Sequence, residues 1–338
     1  MTDSRLKVVI PMAGLGTRLR PHTWSKPKQL ISVAGKAVLA HVLDMLNSLS
    51  DPQNVEFVHI IGYLGEQIEA YVRHHYPDTP AHFVVQENPR GQSQAIYLGR
   101  EFLMSGPMLM IFADTLIDTD LSFLATETAD AVAWVKSVPD PRRFGVAEIG
   151  TDGWVTRLIE KPTEMTNNLV LVGCYYFKNS ADLISAIEEQ MERNIQLKGE
   201  FFLADAINIM LERGLKMRVC PVENWLDAGT PDALLESNRY LLDHGRANYS
   251  EHAVRDGVVI HPPVFIHPNA QLCQSVVGPY VSVGAECRIE NSIVSNTILE
   301  EGAQLKDLVL TDSLIGRKTQ ITGRPLVLNA GDNTELSI

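Results

Sequence analysis

The sequence predicts an α/β fold with a doubly wound mixed sheet, followed by a short parallel β-helix. Two observations predict this class. Up to about residue 137, apolar runs alternate with amphipathic segments, which is the βαβ order of a doubly wound sheet. From Val258 to Ile321, single or paired aliphatic residues alternate with residues that include Gly, Asn and Pro, and several of the aliphatic residues lie six positions apart. A six-residue aliphatic period indicates a parallel β-helix.

Hydrophobic periodicity divides the first part of the chain into strands and helices. The apolar run Val8–Ile10 predicts a central strand of a parallel sheet. Further strands are predicted at residues 55–61, 82–86, 107–112 and 131–137, and helices at about 36–48, 64–75 and 92–104. Ligands of such sheets bind beyond the carboxyl ends of the strands. The loop after the first strand is therefore in position for a site.

The aliphatic pattern of the tail is imperfect. Its register slips between Ile289 and Leu299 and again after Leu305, so we expect irregular coils or inserted loops. An ordinary antiparallel sandwich of short strands is the alternative. After about residue 245, the longer apolar and amphipathic segments give way to short aliphatic runs. This change of pattern predicts two domains, at residues 1–245 and 246–338.

Composition and charge limit the classes of function. Of the 338 residues, 45% are hydrophobic and 21% are charged, as in ordinary globular proteins. The net charge of −12 argues against nucleic acid as a partner, because affinity for a polyanion needs many cations. No apolar stretch has the length of a membrane span and the N-terminus lacks a signal-peptide core, so we expect a cytoplasmic protein without a membrane partner. The four cysteines form no CxxC pair and are expected to be reduced.

The loop after the first strand combines glycines with cations. Gly14 and Gly16 allow a sharp turn with backbone N–H groups facing outward, and Arg18, Lys26 and Lys28 bring positive charge to the same edge. This arrangement is typical of a triphosphate site. The segment is neither a Walker A motif nor the three-glycine dinucleotide fingerprint. The alternative is a glycine turn between a strand and a helix with solvated basic residues.

Residues 8–21 with residues 26–30 resemble the sugar-phosphate nucleotidyltransferases, whose opening signature is LxxGxGTRLxP followed by KPK. Further matches extend through about the first 245 residues, and the motifs are closest to those of glucose-1-phosphate thymidylyltransferases. The resemblance implies a Rossmann-like nucleotidyltransferase domain, often followed by a tail like the left-handed β-helix of hexapeptide-repeat proteins. It also implies these nucleotide-binding residues: Ala13, Gly14, Gly16, Thr17, Gln29 and Gln94.

Two aspartates are candidate Mg²⁺ ligands. Asp114 leaves a buried strand at the ligand-binding edge, and Mg²⁺ takes one or two carboxylates together with phosphate oxygens. A carboxylate that caps the following turn is the alternative. Asp227 lies in a segment that resembles the family's WxDxGTP motif, which implies the second metal ligand. Ala113 departs from the family's Gly-Asp pair, and its methyl group could crowd the substrates.

The sugar side is assigned by the resemblance. Gly145 presents its backbone to the sugar, Glu160 accepts sugar hydroxyls, and Lys161 holds the sugar phosphate. Gly173 and Glu200 match the remaining segments of the family's sugar pocket. A β-turn with a surface ion pair is the alternative for an isolated Glu-Lys-Pro sequence.

Two glutamines bear on the choice of base. Gln29 follows the KPK motif, and Gln94 lies in a segment that resembles the GLAQA motif of glucose-1-phosphate thymidylyltransferases. A glutamine amide offers one donor and one acceptor edge, which complements the imide edge of thymine and uracil. A pyrimidine nucleotide is favoured, with dTTP before UTP.

The assembled reaction is an in-line nucleotidyl transfer from a nucleoside triphosphate to a sugar 1-phosphate, with glucose 1-phosphate favoured and pyrophosphate leaving. Arg18 and Lys28 neutralise the pyrophosphate, and Lys161 holds the attacking phosphate. One alternative is a uridylyl- or guanylyltransferase for N-acetylglucosamine or mannose 1-phosphate. Another is an acyltransferase tail, against which the small number of coils and the position of His261 and His267 in Pro-rich connections argue. A non-catalytic nucleotide-sugar-binding subunit is the third. We expect a homo-oligomer.

Overall fold

The computed structural model describes residues 5–249 and 257–324, which form two compact units. The first unit takes in the described residues up to Ile31 and the segment Lys36–Leu234. The second unit takes in Ser32–Gly35 and the described residues from Leu235 onward. Within the described ranges, no helix combines the length and the apolarity that crossing a membrane requires.

The strands before residue 230 are numbered in chain order. They are β1 (Leu6–Pro11), β2 (Ser32–Val33), β3 (Lys36–Ala37), β4 (Val55–Ile61), β5 (Ala81–Val85), β6 (Met108–Ile111), β7 (Thr115–Ile117), β8 (Ala131–Ser137), β9 (Gly145–Ile149), β10 (Val155–Glu160), β11 (Leu169–Phe177), β12 (Met217–Pro221) and β13 (Trp225–Asp227).

The α-helices are α1 (Val38–Asp44), α2 (Gly65–His75), α3 (Gln92–Leu98), α4 (Ser180–Glu192), α5 (Leu203–Glu212) and α6 (Pro231–Leu241). Short 3-10 helices occupy Thr17–Leu19, His22–Trp24, Lys28–Leu30, Met45–Ser48, Arg100–Phe102 and Ser122–Thr126, and a π-helical turn occupies Leu242–Arg246.

A nine-stranded mixed sheet forms the centre of the first unit. Its main path runs β10-β9-β11-β6-β1-β4-β5, while β8 pairs with β11 and β12 pairs with β8. Strand β1 lies between β4 and β6 and is parallel to both, as predicted for the first apolar run. Strand β11 runs antiparallel to β6, β8 and β9. The predicted doubly wound mixed sheet is thereby confirmed.

The predicted strands follow buried apolar runs. All seven residues of β4 are buried, and β4 and β8 have the predicted bounds. Two predicted helices are shorter, because an α-helix gives way to a 3-10 helix after Asp44 and after Leu98. A Cβ on Gly99, which follows α3, would lie 3.2 Å from Ile60 Cδ1 and Val58 Cγ1. The glycine therefore allows α3 to approach β4 closely.

The second unit is a short parallel β-helix with three faces. The first face contains β14 (Asn248–Tyr249), β16 (Val264–Ile266), β19 (Val281–Val283), β22 (Thr297–Leu299) and β25 (Ser313–Ile315). The second face contains β17 (Gln271–Cys273), β20 (Arg288–Glu290), β23 (Gln304–Lys306) and β26 (Gln320–Thr322). The third face contains β15 (Val259–Ile260), β18 (Val276–Val277), β21 (Ile293–Val294) and β24 (Val309–Leu310).

The coil length explains the slips in the aliphatic register. Residue 264 pairs with residue 281, whereas residue 282 pairs with residue 298, so a coil takes 17 and then 16 residues. The buried side chains are spaced six or five residues apart: Val277, Val283, Ile289, Val294, Leu299 and Leu305. Five-residue steps at some corners therefore replace the expected loops. The described pairings among β14–β26 are all parallel, which excludes the antiparallel sandwich.

Candidate active site

The first loop leaves the carboxyl end of the central strand β1. Met12 and Ala13 are still buried, whereas Gly14 is exposed and a Cβ there would meet nothing within 4 Å. Gly16 has a φ of +61°, and the Thr23 hydroxyl donates to its carbonyl at 2.8 Å. A side chain at position 16 would be strained, because this φ favours glycine. Thr17 is exposed and begins a 3-10 helix, so the loop presents backbone at the sheet edge.

Opposite charges meet beside this loop. Lys28 Nζ lies 2.5 Å from Asp114 Oδ2, and both side chains are about four-fifths buried, at 18% and 22% exposure. Burial would raise the pKa of Asp114, but the charge and hydrogen bond of Lys28, helped by Arg18, hold it below its usual value. Burial and the Asp114 charge raise the pKa of Asp227, against the opposing charges of Arg18 and Lys28. The four predicted side chains thus form one cluster.

A two-stranded ladder brings the two aspartates together. Strand β13 runs antiparallel to β7 with Asp227 opposite Thr115, and the Ala228 N–H donates to the Asp114 carbonyl at 3.1 Å. A Cβ on Gly229 would lie 2.8 Å from Arg18 Nη2 and 2.9 Å from Asp227 Oδ1. Gly229 is therefore needed for the close approach of Arg18, a role that the sequence analysis missed although the GTP motif contains it.

The donor set of this cluster fits Mg²⁺. In the described part of the chain, no three His, Cys, Asp or Glu side chains gather as metal ligands. Mg²⁺ does not need such a cage, since it usually takes one or two carboxylates and completes its shell with phosphate and water. The raised pKa of Asp227 arises partly from the Asp114 charge. A cation would relieve that repulsion.

A helix begins shortly after Asp227. Helix α6 begins at Pro231, and the Ala233 N–H donates to the Thr230 hydroxyl at 3.3 Å. Threonine as the cap followed by proline in the first turn is a favourable helix start. It fixes the chain direction directly after Gly229.

A hairpin positions the predicted sugar residues. Gly145 of β9 pairs with Glu160 of β10, and a Cβ on Gly145 would lie 3.2 Å from Glu160 Oε2. Lys161 follows with a φ of +48°, and its N–H donates to the Phe144 carbonyl at 3.0 Å. Lys161 Nζ lies 3.9 Å from Glu160 Oε1 and 4.8 Å above the Phe202 ring, with 51% of the side chain exposed. An accessible ammonium thus lies beside a largely buried carboxylate.

Three carboxylates share this region. Burial raises the pKa of Glu160, the Lys161 charge opposes the rise, and the charges of Asp205 and Glu200 add to it. Glu200 is exposed and follows a tight turn in which Lys198 and Gly199 both have positive φ. Asp205 lies in the first turn of α5. Asp205 was not among the predicted site residues, although it lies in the same matched segment as Glu200.

Gly173 connects the sugar strand to the aspartate loop. It has a φ of +84° inside the irregular stretch of β11, and its carbonyl accepts the Phe112 N–H at 2.8 Å. A Cβ there would lie 2.5 Å from the Phe112 ring. The Thr115 hydroxyl donates to the Val172 carbonyl at 2.7 Å. These bonds hold both sides of Asp114 against β11.

An aromatic contact joins the sugar hairpin to β13. The Phe144 and Trp225 rings meet edge to face, with centroids 5.0 Å apart. Phe144 precedes Gly145, and Trp225 lies two residues before Asp227. The Trp225 indole N–H is buried without a hydrogen-bond partner among the described residues. The contact keeps the sugar and aspartate segments adjacent.

The structure separates the two predicted glutamines. Gln94 Oε1 accepts a hydrogen bond from Gln86 Nε2 at 2.5 Å. Gln29 is 1% exposed, and its Nε2 donates to the Met12 carbonyl at 3.2 Å while its Oε1 has no partner in the described ranges. The Gln29 amide therefore lies beneath the first loop. Gln86 follows β5 directly, and the strand-end rule that selected Asp114 would also have found it.

The loop before Gln94 is bonded to the segment that carries Glu200. The Phe201 N–H donates to the Arg90 carbonyl at 2.8 Å, and the Ser93 N–H donates to the Phe201 carbonyl at 3.1 Å. Gly91 has a φ of +98°, and a Cβ there would lie 2.4 Å from the Phe201 carbonyl oxygen. The nucleotide-side loop and the sugar-side segment are thus held together by backbone.

Comparison with known proteins identifies the family of this chain. A family model described as nucleotidyl transferase matches residues 7–244. A glucose-1-phosphate thymidylyltransferase of Streptomyces griseus is 29% identical over 98% of this chain and 99% of its own length. The low-salt glycan biosynthesis nucleotidyltransferase Agl11 of Haloferax volcanii is 31% identical over 98% of this chain and all of its own length. A solved structure described as a glucose-1-phosphate thymidylyltransferase from Bacillus anthracis, with sucrose, has a TM-score of 0.60 at 25% identity, covering 72% of this chain and 97% of that one. The chain belongs to the nucleotidyl transferase family.

Proposed function

We propose that this chain transfers a nucleotidyl group from dTTP, with UTP next in preference, to glucose 1-phosphate. The products are a nucleoside diphosphate sugar and pyrophosphate. The observation that carries the proposal is the cluster of Arg18, Lys28, Asp114 and Asp227 beside the first loop. The named activity of the Streptomyces griseus relative, which matches nearly the whole chain, favours the same substrates.

The reaction is a displacement at the α-phosphorus. A phosphate oxygen of the sugar 1-phosphate forms the new bond, and the bond from the α-phosphorus to the bridging oxygen breaks. Pyrophosphate leaves with that electron pair. The attacking phosphate is already an anion, so no general base is required. The protein has to neutralise charge and align the two phosphates.

Each cationic group has a place in this scheme. Arg18 and Lys28 neutralise the charge that develops on the leaving pyrophosphate, and exposed backbone around Gly14 and Thr17 receives the triphosphate. Lys161 holds the attacking phosphate, since its side chain is about half exposed beside the hairpin end. Lys28 lies beside Asp114 with both side chains largely buried, and charges fixed in such surroundings act more strongly than in water.

Mg²⁺ is the implied cofactor, and Asp114 and Asp227 would hold it. When bound, it supplies positive charge to the phosphate oxygens. The Lys28 ammonium, 2.5 Å from Asp114 Oδ2, keeps that carboxylate ionised. The nearby Arg18 charge favours the ionised form of Asp227.

The sugar is assigned to the hairpin region. Glu160 accepts sugar hydroxyls, Gly145 allows close approach to the backbone, and Gly173 and Glu200 complete the pocket. Crowding of Glu160 by Asp205 and Glu200 favours a neutral, hydroxyl-rich ring as a hydrogen-bond donor. A carboxylate on the sugar ring would add repulsion.

Base selection is assigned to Gln94 acting with Gln86. The Gln86 side-chain nitrogen is directed at Gln94 Oε1, which fixes the orientation of both amides. Gln29 supports the first loop through the Met12 carbonyl. A fixed pair of amides offers both a donor and an acceptor to an imide edge.

We also propose that residues 1–245 form the catalytic domain and residues 246–338 the hexapeptide-repeat domain of a cytoplasmic homo-oligomer. The family match at residues 7–244 supports the first of these bounds.

The test is a nucleotide panel. Purified protein is incubated with Mg²⁺, glucose 1-phosphate and, separately, dTTP, UTP, GTP, CTP and ATP, and pyrophosphate release is followed. We expect the fastest release with dTTP, then UTP. Release only with a purine nucleotide would refute the base assignment and keep the reaction. The proposal would be overturned if no nucleotide gave pyrophosphate release with the 1-phosphates of glucose, N-acetylglucosamine or mannose.

A matched pair of variants assigns the release to this site. Lys28→Met removes the ammonium beside Asp114. Lys178→Met removes an exposed ammonium that follows Phe177, which pairs with the first residue of β6 at the opposite edge of the sheet. Only Lys28→Met should abolish release.

A further inference from the structure

We infer that Phe202 is a positioning residue for Lys161, and that Gln92 and Gln190 hold the peptide group between Phe202 and Leu203 in the orientation that this role requires. The inference rests on the proposed function, in which Lys161 holds the phosphate of the sugar 1-phosphate. It adds residues that were not assigned to the site. All five residues belong to the first unit.

The Phe202 ring lies under the Lys161 ammonium. Nζ is 4.8 Å from the ring centroid, and the face of an aromatic ring attracts a cation within about 6 Å. Glu160 Oε1 is 3.9 Å from the same Nζ, which is an ion-pair distance but too long for a hydrogen bond. Neither neighbour therefore takes up an N–H donor of the ammonium, and the donors remain available to the oxygens of a phosphate.

The Lys161 side chain needs such a neighbour because it is 51% exposed. Its backbone is held in place, since the N–H donates to the Phe144 carbonyl at 3.0 Å. The flexible four-carbon stem of an exposed lysine, however, samples many rotamers, and fixing it on a phosphate costs conformational entropy. The ring favours the rotamers that keep the ammonium at the end of the hairpin before the substrate binds, which lowers that cost.

Phe202 occupies a position that usually carries a different residue type. It is the N-cap of α5, where Ser, Thr, Asp or Asn is preferred because such a side chain can accept a hydrogen bond from the helix. The core cluster of described residues in the first unit includes the next two residues, Leu203 and Ala204, but not Phe202. A phenylalanine that neither caps its helix nor joins this core breaks a local rule, as residues with a functional role often do.

Two glutamines fix the peptide group that carries the ring. The first N–H groups of a helix have no partner inside it, and Gln92 Oε1 accepts the Leu203 N–H at 3.3 Å. On the other side of the same peptide group, Gln190 Nε2 donates to the Phe202 carbonyl at 2.8 Å, and Gln190 is fully buried. A planar peptide group that is bonded at both polar atoms resists rotation. The direction of the Phe202 side chain is thereby set.

Gln92 also links the phosphate-holding lysine to the nucleotide side. It is the first residue of α3, the helix that carries Gln94. In the segment Gly91–Ala95, Gln92 stands at the leucine of the GLAQA motif that this segment resembles. A leucine side chain has no acceptor for the Leu203 N–H. The bond from α3 to the start of α5 is therefore a consequence of this chain's own departure from the motif.

The experiment measures pyrophosphate release with Mg²⁺ and dTTP while glucose 1-phosphate is varied, beside denaturant unfolding of each sample. The test variant is Phe202→Leu. The matched control is Phe123→Leu, which removes a ring that lies 4.9 Å from the Arg218 guanidinium carbon, away from the assigned residues. We expect kcat/KM for glucose 1-phosphate to fall about 3- to 30-fold in Phe202→Leu. The KM for dTTP should stay unchanged, and the control should match the wild type.

A double-mutant cycle separates positioning from general support of the fold. When Lys161 is already alanine, the ring has no ammonium to orient. Phe202→Leu should then lower kcat/KM for glucose 1-phosphate by less than about twofold.

A second pair of variants leaves the ring in place and tests the glutamine bond. Gln92→Leu removes the acceptor of the Leu203 N–H, whereas Gln92→Glu keeps an acceptor oxygen. We expect Gln92→Leu to lower kcat/KM for glucose 1-phosphate about 2- to 10-fold, and Gln92→Glu to stay near the wild-type value. This pair decides the question if Phe202→Leu does not fold.

Three results would overturn the inference while the proposed function stands. The first is a folded Phe202→Leu variant with the wild-type kcat/KM for glucose 1-phosphate. The second is an equal loss with and without Lys161, which would give the ring a structural role only. The third is equal activity of Gln92→Leu and Gln92→Glu. A wild type that releases no pyrophosphate with any of the tested substrates would instead overturn the proposed function, and the inference with it.

Discussion

Replacing Lys161 by alanine separates a catalytic role from a structural one. The Lys161 ammonium makes two contacts, 3.9 Å to Glu160 Oε1 and 4.8 Å to the Phe202 ring, and the side chain is 51% exposed. At such exposure a cation–π contact contributes about 0.5–1 kcal/mol and an ion pair about 0–1 kcal/mol. Alanine keeps the Cβ, so the strain of the positive φ is unchanged. The loss of stability should therefore be below about 2 kcal/mol.

The loss of activity should be much larger. If Lys161 holds the attacking phosphate, its removal costs one charge-stabilising contact, which corresponds to about 10²–10³-fold in kcat. The assay is pyrophosphate release at saturating nucleotide with varied glucose 1-phosphate, beside denaturant unfolding of the same samples. Lys178→Ala serves as the control because Lys178 is exposed at the opposite edge of the sheet. Wild-type kcat/KM in Lys161→Ala, or a loss of activity that follows loss of folded protein, would refute the reasoning.

Three further changes test other parts of the site and fold. Gly229→Ala puts a Cβ 2.8 Å from Arg18 Nη2 and 2.9 Å from Asp227 Oδ1. The kcat for pyrophosphate release should therefore fall about 10- to 100-fold while the fold is retained. An unchanged kcat would show that Arg18 has no part in the mechanism. Burial, with the charges of Asp205 and Glu200, raises the pKa of Glu160, so its hydroxyl-accepting form is lost at a higher pH than usual. The KM for glucose 1-phosphate should accordingly rise more steeply on acidification in the wild type than in Glu160→Gln, and parallel pH profiles would argue against the assignment. Burial lowers the pKa of His59 to about 3. Below pH 6.5 the unfolded chain therefore binds a proton at His59 that the folded chain does not bind. The free energy of unfolding should decrease as the pH is lowered, by about 3 kcal/mol between pH 7 and 4. Denaturant unfolding of His59→Leu should show a correspondingly smaller loss over that range, and an equal loss would contradict the linkage.

Local patterns were sufficient to predict the sheet and the ends of its strands. Strands β4 and β8 are short, continuous apolar runs, and their burial on both faces leaves few other placements. Asp114 was found because a polar residue that follows such a run lies at the ligand-binding edge. Gln86 obeys the same rule after β5, but only Gln94 lies in a segment that matches the family motif.

Features that depend on packing were not predictable in this way. From the sequence, Gln29 and Gln94 are equal candidates for binding the base. In the structure, the Gln29 amide donates to the Met12 carbonyl, and this position depends on how the first loop folds over Gln29. The steric need for Gly229 depends on Arg18 reaching across from a distant segment. In the β-helix, a left-handed residue turns the corner in both kinds of step, as Glu286 does in a six-residue step and Asn291 in a five-residue step. A strict period therefore fails while the inward aliphatic row persists.

The most direct test follows the α-phosphate itself. Protein, Mg²⁺ and glucose 1-phosphate are incubated with dTTP labelled at the α-phosphorus, and the label and pyrophosphate are both quantified. The proposed reaction predicts that the label enters a thymidine diphosphate sugar and that one pyrophosphate forms for each labelled product. Label recovered only in dTTP, or in thymidine monophosphate formed without the sugar, would contradict nucleotidyl transfer to a sugar 1-phosphate.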